Sequence, residues 1–121
     1  MLSQNDLDKR YARWSALHPQ MLLTGAARNI AERGGYWVLD TIDSYQPFLQ
    51  NHPDGRLRYS QFWRLRVYDD QSALLTCVAD FGEPPVVEQH IRCTDFELPL
   101  IDLWLAEWDG AHYVVYEPMT P

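Results

Sequence analysis

Hydrophobic positions change their period partway along the chain. In residues 5 to 17, NDLDKRYARWSAL, the apolar side chains Leu7, Tyr11, Trp14 and Leu17 recur at helical spacing. Asn5 or Asp6 can cap that start, and His18-Pro19 ends it because the residue before proline is pushed out of the helical region. Residues 20 to 33 predict a second helix, with an apolar stripe of Leu22, Leu23, Ala26, Ala27, Ile30 and Ala31. Gly34-Gly35 supplies its stop. A third helix is expected from about Tyr36 to Tyr45, ending at Gln46-Pro47. NHPDGR, residues 51 to 56, is a loop of turn formers.

Beyond that loop the period becomes two. In RYSQFWRLRVYDD, Trp63, Leu65 and Val67 fall on one face and Phe62, Arg64, Arg66 and Tyr68 on the other, the pattern of a half-buried strand. Asp69-Asp70-Gln71 turns the chain. SALLTCVADF and VVEQHIRCT read as further strands separated by the turn GEPP. LIDLWLAEW and HYVVYEP, joined by Asp109-Gly110, read as a terminal hairpin, with a short helix as the alternative for LIDLWLAEW. Helices first and strands after predict a single α+β domain over residues 1 to 121. In it, N-terminal helices pack on one face of a C-terminal antiparallel meander of about four or five strands.

Composition fits a chain able to bury a core unaided: 46% of the 121 residues are apolar, and five Trp, seven Tyr and four Phe carry large side chains. The N-terminus lacks the apolar stretch of a signal peptide, and the longest apolar run, LPLIDLWLA, is interrupted by Pro99 and Asp102. A cytoplasmic protein without membrane association is the expectation. Cys77 and Cys93 lie in strand-like runs without metal-ligand spacing and are expected to be buried free thiols.

Charge is uneven. Residues 1 to 68 carry nine bases against six acids, whereas residues 69 to 121 carry eleven acids and the single base Arg92. The acidic half argues against direct nucleic-acid binding, which needs a basic face. It suits a partner that is itself basic, such as a nucleic-acid-handling protein.

Three stretches, LLTGAARNIAERGGYWVLDTI, SQFWRLRV and IRCTDFELPL, resemble an uncharacterised bacterial family, domain of unknown function 6876. The matching positions are Ala31, Glu32, Tyr36, Trp37, Leu39, Asp40 and Ile42, then Trp63, Leu65 and Val67, then Thr94, Asp95, Phe96 and Leu98. The resemblance spans about residues 22 to 105. Val38 and Glu97 depart from the pattern, and NDLDKRYARWSALHPQ does not obviously match the segment that precedes the first shared helix. The resemblance implies no established chemistry. It does imply a small bacterial protein of the kind often carried on mobile elements, and such proteins frequently act by binding host factors.

Candidate chemistry is sparse. Asp40, beside the apolar run YWVL, is either a carboxylate with a raised pKa or a partner for a backbone group or Arg33. No spacing forces two of Asp40, Asp43, Asp95 and Asp102 together. Thr94-Asp95 has the character of a turn cap. His18, His52, His90 and His112 show no metal-binding spacing, so no metal or cofactor is expected. GAARNIAERGG is not a phosphate loop, because its glycines flank a helix instead of opening one after a strand.

Aromatic residues interleaved with arginines make interface hot spots. Phe62, Arg64, Arg66 and Tyr68, with His90 and Arg92 on the third strand beside Glu88, therefore form the candidate partner-binding face. The functional expectation is a small acidic non-enzymatic protein that binds a protein partner. Inhibition of a host defence or nucleic-acid-handling machine is one version, and anti-CRISPR activity a concrete form of it. The alternatives are a small enzyme or ligand-binding protein with a pocket at Tyr36, Trp37, Asp40, Trp63 and Asp95, and a homodimer pairing the Phe62 face.

Overall fold

A computed structural model of the chain describes residues 13–14, 21–107 and 113–118. Seven strands form one sheet: β1 Arg13–Trp14, β2 Met21–Leu23, β3 Ser60–Val67, β4 Ala73–Val78, β5 Val87–Ile91, β6 Leu100–Glu107 and β7 Tyr113–Tyr116. Among the described residues three α-helices, α1 Gly25–Ile30, α2 Tyr36–Ser44 and α3 Gln46–Gln50, a π-helical turn Ala31–Gly35 joining the first two, and a 3-10 turn Gly55–Arg58 precede the long strands. The α+β layout is the one the change of period predicts.

The sheet is wider than a five-stranded meander, and its order is β1-β2-β7-β6-β3-β4-β5. β6 returns to pair with β3 instead of β5, and β2 lies parallel to β7 while every other pair is antiparallel. Asp109-Gly110 lies outside the described residues, but the two strands it separates pair antiparallel. LIDLWLAEW is a strand over Leu100–Glu107, not a helix.

Two of the expected helices are altered. Within the segment 5 to 17, residues Arg13 and Trp14 pair antiparallel with Leu23 and Leu22; the other residues of that segment lie outside the described ones. In the segment 20 to 33, Met21–Leu23 is a strand and the helix begins only at Gly25. The second correction has a plain cause. Met21, Leu22 and Leu23 are buried in succession, and a short fully apolar run gives no period to read. Thr24 marks the true helix start, its hydroxyl accepting from the Ala27 N–H.

The break before α2 falls where the two glycines stand. Gly34 has φ 99, a left-handed conformation that a side chain would strain. Pro47 stands in the first turn of α3 instead of ending α2, a position where its missing N–H costs nothing.

The helices cover the face bearing Trp63, Leu65, Leu75, Cys77, Ile101 and Leu103, which join Val38, Leu39, Ile42 and Leu49 in one core. Polar side chains stitch the layers together. Gln46 and Gln61, both buried, exchange reciprocal amide hydrogen bonds at 2.9 Å. Gln61 also donates to the Leu57 carbonyl and accepts from Trp63 Nε1. Tyr45 donates its hydroxyl to Gln89 and places its ring 5.8 Å from that of Trp63. Arg33 donates Nε to Glu97 at 2.8 Å, so its carboxylate partner comes from the loop before β6. Cys77 is buried, but Cys93 is exposed, a correction that follows from β5 ending at Ile91.

Candidate binding face

Strand alternation sends every second side chain of β3, β4 and β6 away from the core. Register then sorts those side chains into rows. Val78, Phe62, Trp104 and Tyr116 stand side by side across four strands. The next row along β3 holds Glu88, Thr76, Arg64 and Asp102. The third holds His90, Leu74, Arg66 and Leu100. Among the described residues, those in the core cluster come from the opposite side of these strands.

A turn brings a further ring onto the first row. Asp80 to Glu83 closes with a backbone hydrogen bond from Glu83 N–H to the Asp80 carbonyl, and Gly82 takes φ 79, the positive value a type II turn needs at its third position. The second position is Phe81. Its ring lies 4.8 Å from Phe62 and 5.4 Å from Trp104, and Trp104 in turn meets Phe62 at 5.2 Å and Tyr116 at 5.8 Å. Contacts of this kind contribute about 0.5–1.5 kcal/mol each beyond the area they bury. Phe81 is nonetheless 62% exposed. It overhangs a cleft of about 220 Å³ lined by Phe62, Arg64, Thr76, Val78, Asp102 and Trp104.

The turn is held from outside. Arg56 donates two hydrogen bonds to Glu83, at 2.7 and 2.8 Å, and its Nε and Nη2 also bond Asp54. This guanidinium holds the Asp54 carboxyl down at about 2 and lowers that of Glu83. Asp54 also accepts from the Arg56 N–H, closing the loop that presents the arginine.

On the second row Arg64 makes a bidentate pair with Asp102, at 2.7 and 3.1 Å through Nε and Nη2. Such a fork fixes the plane of the guanidinium and leaves its Nη1 donors available. Hydrogen bonding to Asp102 raises the Arg64 pKa, so the cation is permanent. Arg28, Arg33, Arg56 and Arg64 all have carboxylate partners. Arg66 and Arg92 are exposed and enter no ion pair among the described residues.

The structure thus places Phe62, Arg64, Arg66 and His90 on one open face, with Arg92 just past the end of β5 and the half-exposed Tyr68 just past the end of β3. For this face sequence reasoning missed Phe81, Trp104 and Tyr116, and weighed Asp102 only as one of several carboxylates that could pair. The alternation of Asp102 and Trp104 against Ile101, Leu103 and Leu105 carries the signal for two of them once that segment is taken as a strand. Phe81, an aromatic beside glycine in a turn, had none.

The pocket residues divide. Trp63 is 1% exposed and sealed against Tyr45 and Gln61. Tyr36 and Asp40 are on the outside of α2. Trp37 and Asp95 do line one shallow depression, with Ile91, Cys93 and Thr94. Thr94 caps its turn, accepting from the Phe96 N–H at 3.1 Å.

The described acids of residues 69 to 121 are spread over both ends of the sheet and its open face. Asp69, Asp70, Asp95 and Glu97 lie at one end of the sheet, and Asp80, Glu83 and Glu107 at the other. Glu83, Glu97 and Asp102 are spent on ion pairs.

Fold and face together define a small α+β protein whose sheet is covered by helices on one side and lined with aromatic rings and arginines on the other. The chain belongs to the family of unknown function DUF6876, whose sequence pattern matches residues 1–116. That span includes the N-terminal stretch left outside the motif resemblance. No curated protein and no solved structure matches the chain. Among the described residues no helix is long and apolar enough to cross a membrane.

Proposed function

We propose that this is a non-enzymatic binding protein that engages a protein partner through the open sheet face. The observation that carries the reading is the ring cluster of Phe62, Phe81, Trp104 and Tyr116, held at 4.8–5.8 Å spacings on a face with exposed arginines. Rigid aromatics beside arginines are the chemistry of protein hot spots, because they lose little side-chain entropy on contact. Cleft size favours a side-chain anchor over a free ligand. At about 220 Å³ it is smaller than the roughly 300 Å³ at which small-molecule sites begin.

The pocket reading at Tyr36, Trp37, Asp40 and Trp63 has less behind it: the open depression at Trp37 and Asp95 is about 440 Å³, but Trp63 is closed off from it and Asp40 faces outward. With the acids divided between the two ends of the sheet and its open face, the acidic half lends little support to a basic, nucleic-acid-handling partner. A host-directed inhibitor remains one form of it, resting on family character alone.

The test is capture from a lysate of the source organism by wild-type protein and by Phe81→Ala and Trp104→Ala variants. A partner held by wild type and released by both variants is the expected result. Capture that ignores both substitutions sinks the proposal.

A further inference from the structure

Resting on that reading, we infer that the partner segment is extended and acidic: an aromatic side chain enters the cleft under Phe81, and a carboxylate about four residues away meets Arg66.

The charges along β3 decide the spacing. The aromatic row is neutral. In the next row Arg64 is flanked by Asp102, already bonded to it, and by Glu88 on the far strand, so a carboxylate arriving there meets more negative than positive charge. The third row reverses this. Arg66 stands between Leu74 and Leu100 with His90 in line, and Arg92 follows from β5; no carboxylate shares that row. Of the three rows, it alone offers a cation without a partner.

Register supplies the distance. Phe62 and Arg66 are four residues apart on one strand, about 13 Å at the rise of an extended chain. A partner segment in the same extended form, running along β3, keeps step with it. Its aromatic residue and a residue four further on point to the same side, because side chains repeat every second residue. The residue between them faces Arg64 and Thr76, where a neutral hydrogen-bonding group suits the Nη1 donors that Asp102 leaves available.

A protein with formal charge −7 would ordinarily repel an acidic segment. At ordinary salt, however, exposed charges are screened beyond about 8–10 Å. The nearest charges therefore govern the last step of docking: Arg64, Arg66 and Arg92 against Asp102 and Glu88, which stand one row and about 7 Å away, with Asp102 already paired to Arg64. The net charge disfavours acidic segments that lack the aromatic anchor.

Three fluorescein-labelled peptides test this by anisotropy: GSFGSGESGG, GSFGSGKSGG and GSAGSGESGG. Wild-type protein is expected to bind the glutamate peptide about five-fold more tightly than the lysine peptide, the size of one exposed charge contact. The alanine peptide should lose binding. Arg66→Glu, an exposed substitution that breaks no ion pair, should invert the order of the glutamate and lysine peptides while leaving the melting temperature within a few degrees. Equal binding of the first two peptides, or no binding of either at roughly millimolar protein, overturns the inference. A natural partner released by Phe81→Ala but indifferent to Arg66→Glu also overturns it, and leaves the aromatic face standing.

Discussion

Trp63 and Trp104 sit on adjacent strands and point in opposite directions. Trp63, opposite Leu103, is sealed beneath the helices, with its indole N–H satisfied by Gln61. Trp104, opposite Phe62, is half-buried among rings that belong to a strand and a turn. The two faces of one sheet are thus built for different ends. The covered face closes its packing and its hydrogen bonds internally. The open face holds its rings in contact with one another and leaves their outer surfaces to solvent.

Truncating each tryptophan is the strongest way to test the contrast. Trp63→Ala opens a cavity and removes one hydrogen bond to Gln61, which keeps Gln46 and the Leu57 carbonyl as partners, so about 3–5 kcal/mol should be lost in denaturant unfolding. Trp104→Ala removes three ring contacts at about 0.5–1.5 kcal/mol each and, because they lie at the surface, should cost about 1.5–2 kcal/mol, the low end of their sum. Equal losses would mean that the open face is as much a core as the covered one.

Gln61→Ala comes next. It leaves the Gln46 amide and the Trp63 indole N–H without their shared partner in a dry interior, a loss of about 2–3 kcal/mol. Phe81→Ala should cost at most about 1 kcal/mol, because most of the ring is already in water. Its effect on partner capture should be far larger than its effect on unfolding. That inversion between stability and binding would mark the face as functional surface.

The alternation of β3 was legible in the sequence because one of its faces meets a uniform apolar layer, and burial enforces the period. So was the helix from Tyr36, whose Val38, Leu39 and Ile42 sit at helical spacing. What could not be read lies where pairing partners are distant in sequence. Met21–Leu23 becomes a strand because β7 lies beside it in parallel, and nothing local to MLL records that. The β6–β7 pair was legible as a hairpin, but the aromatic cleft needed two further facts that were not: β6 beside β3, and a type II turn folding Phe81 back onto both. Phe62, Arg64 and Arg66 were visible on one strand, but the rings that give Phe62 its company come from elsewhere.

The two cysteines extend the contrast from packing to reactivity. Burial pushes the Cys77 thiol up to about 12, whereas Cys93 is exposed. An excess of a thiol reagent near neutral pH should label one cysteine quickly, and the second only on unfolding. Because the folded pKa of Cys77 is raised, its contribution to stability is intact below the thiol's ordinary value of 9.0 and declines as pH climbs from there towards about 12. A Cys77→Ser variant should lack that part of the alkaline loss. Two cysteines reacting at the same rate in native protein would contradict the buried assignment.

The smallest effect concerns the clamp that aims Phe81. Arg56 ties the Asp54 loop to Glu83 at the surface, so the pairs add little to stability, but they position the turn. Asp54 and Glu83 both have folded pKa values below their unfolded ones, so what they contribute is present above the carboxylate range. It is lost as pH falls from about 4.5 towards 2. Arg56→Ala should therefore lower the melting temperature slightly at pH near 6 and by less near pH 2, where Asp54 has begun to take up its proton in the wild type. If the clamp serves the open face, the same variant weakens binding of an aromatic peptide at neutral pH by more than its small stability change accounts for. A loss of binding that merely tracks the fraction unfolded would reduce Arg56 to a surface ion pair and leave the orientation of Phe81 to Gly82 and the turn alone.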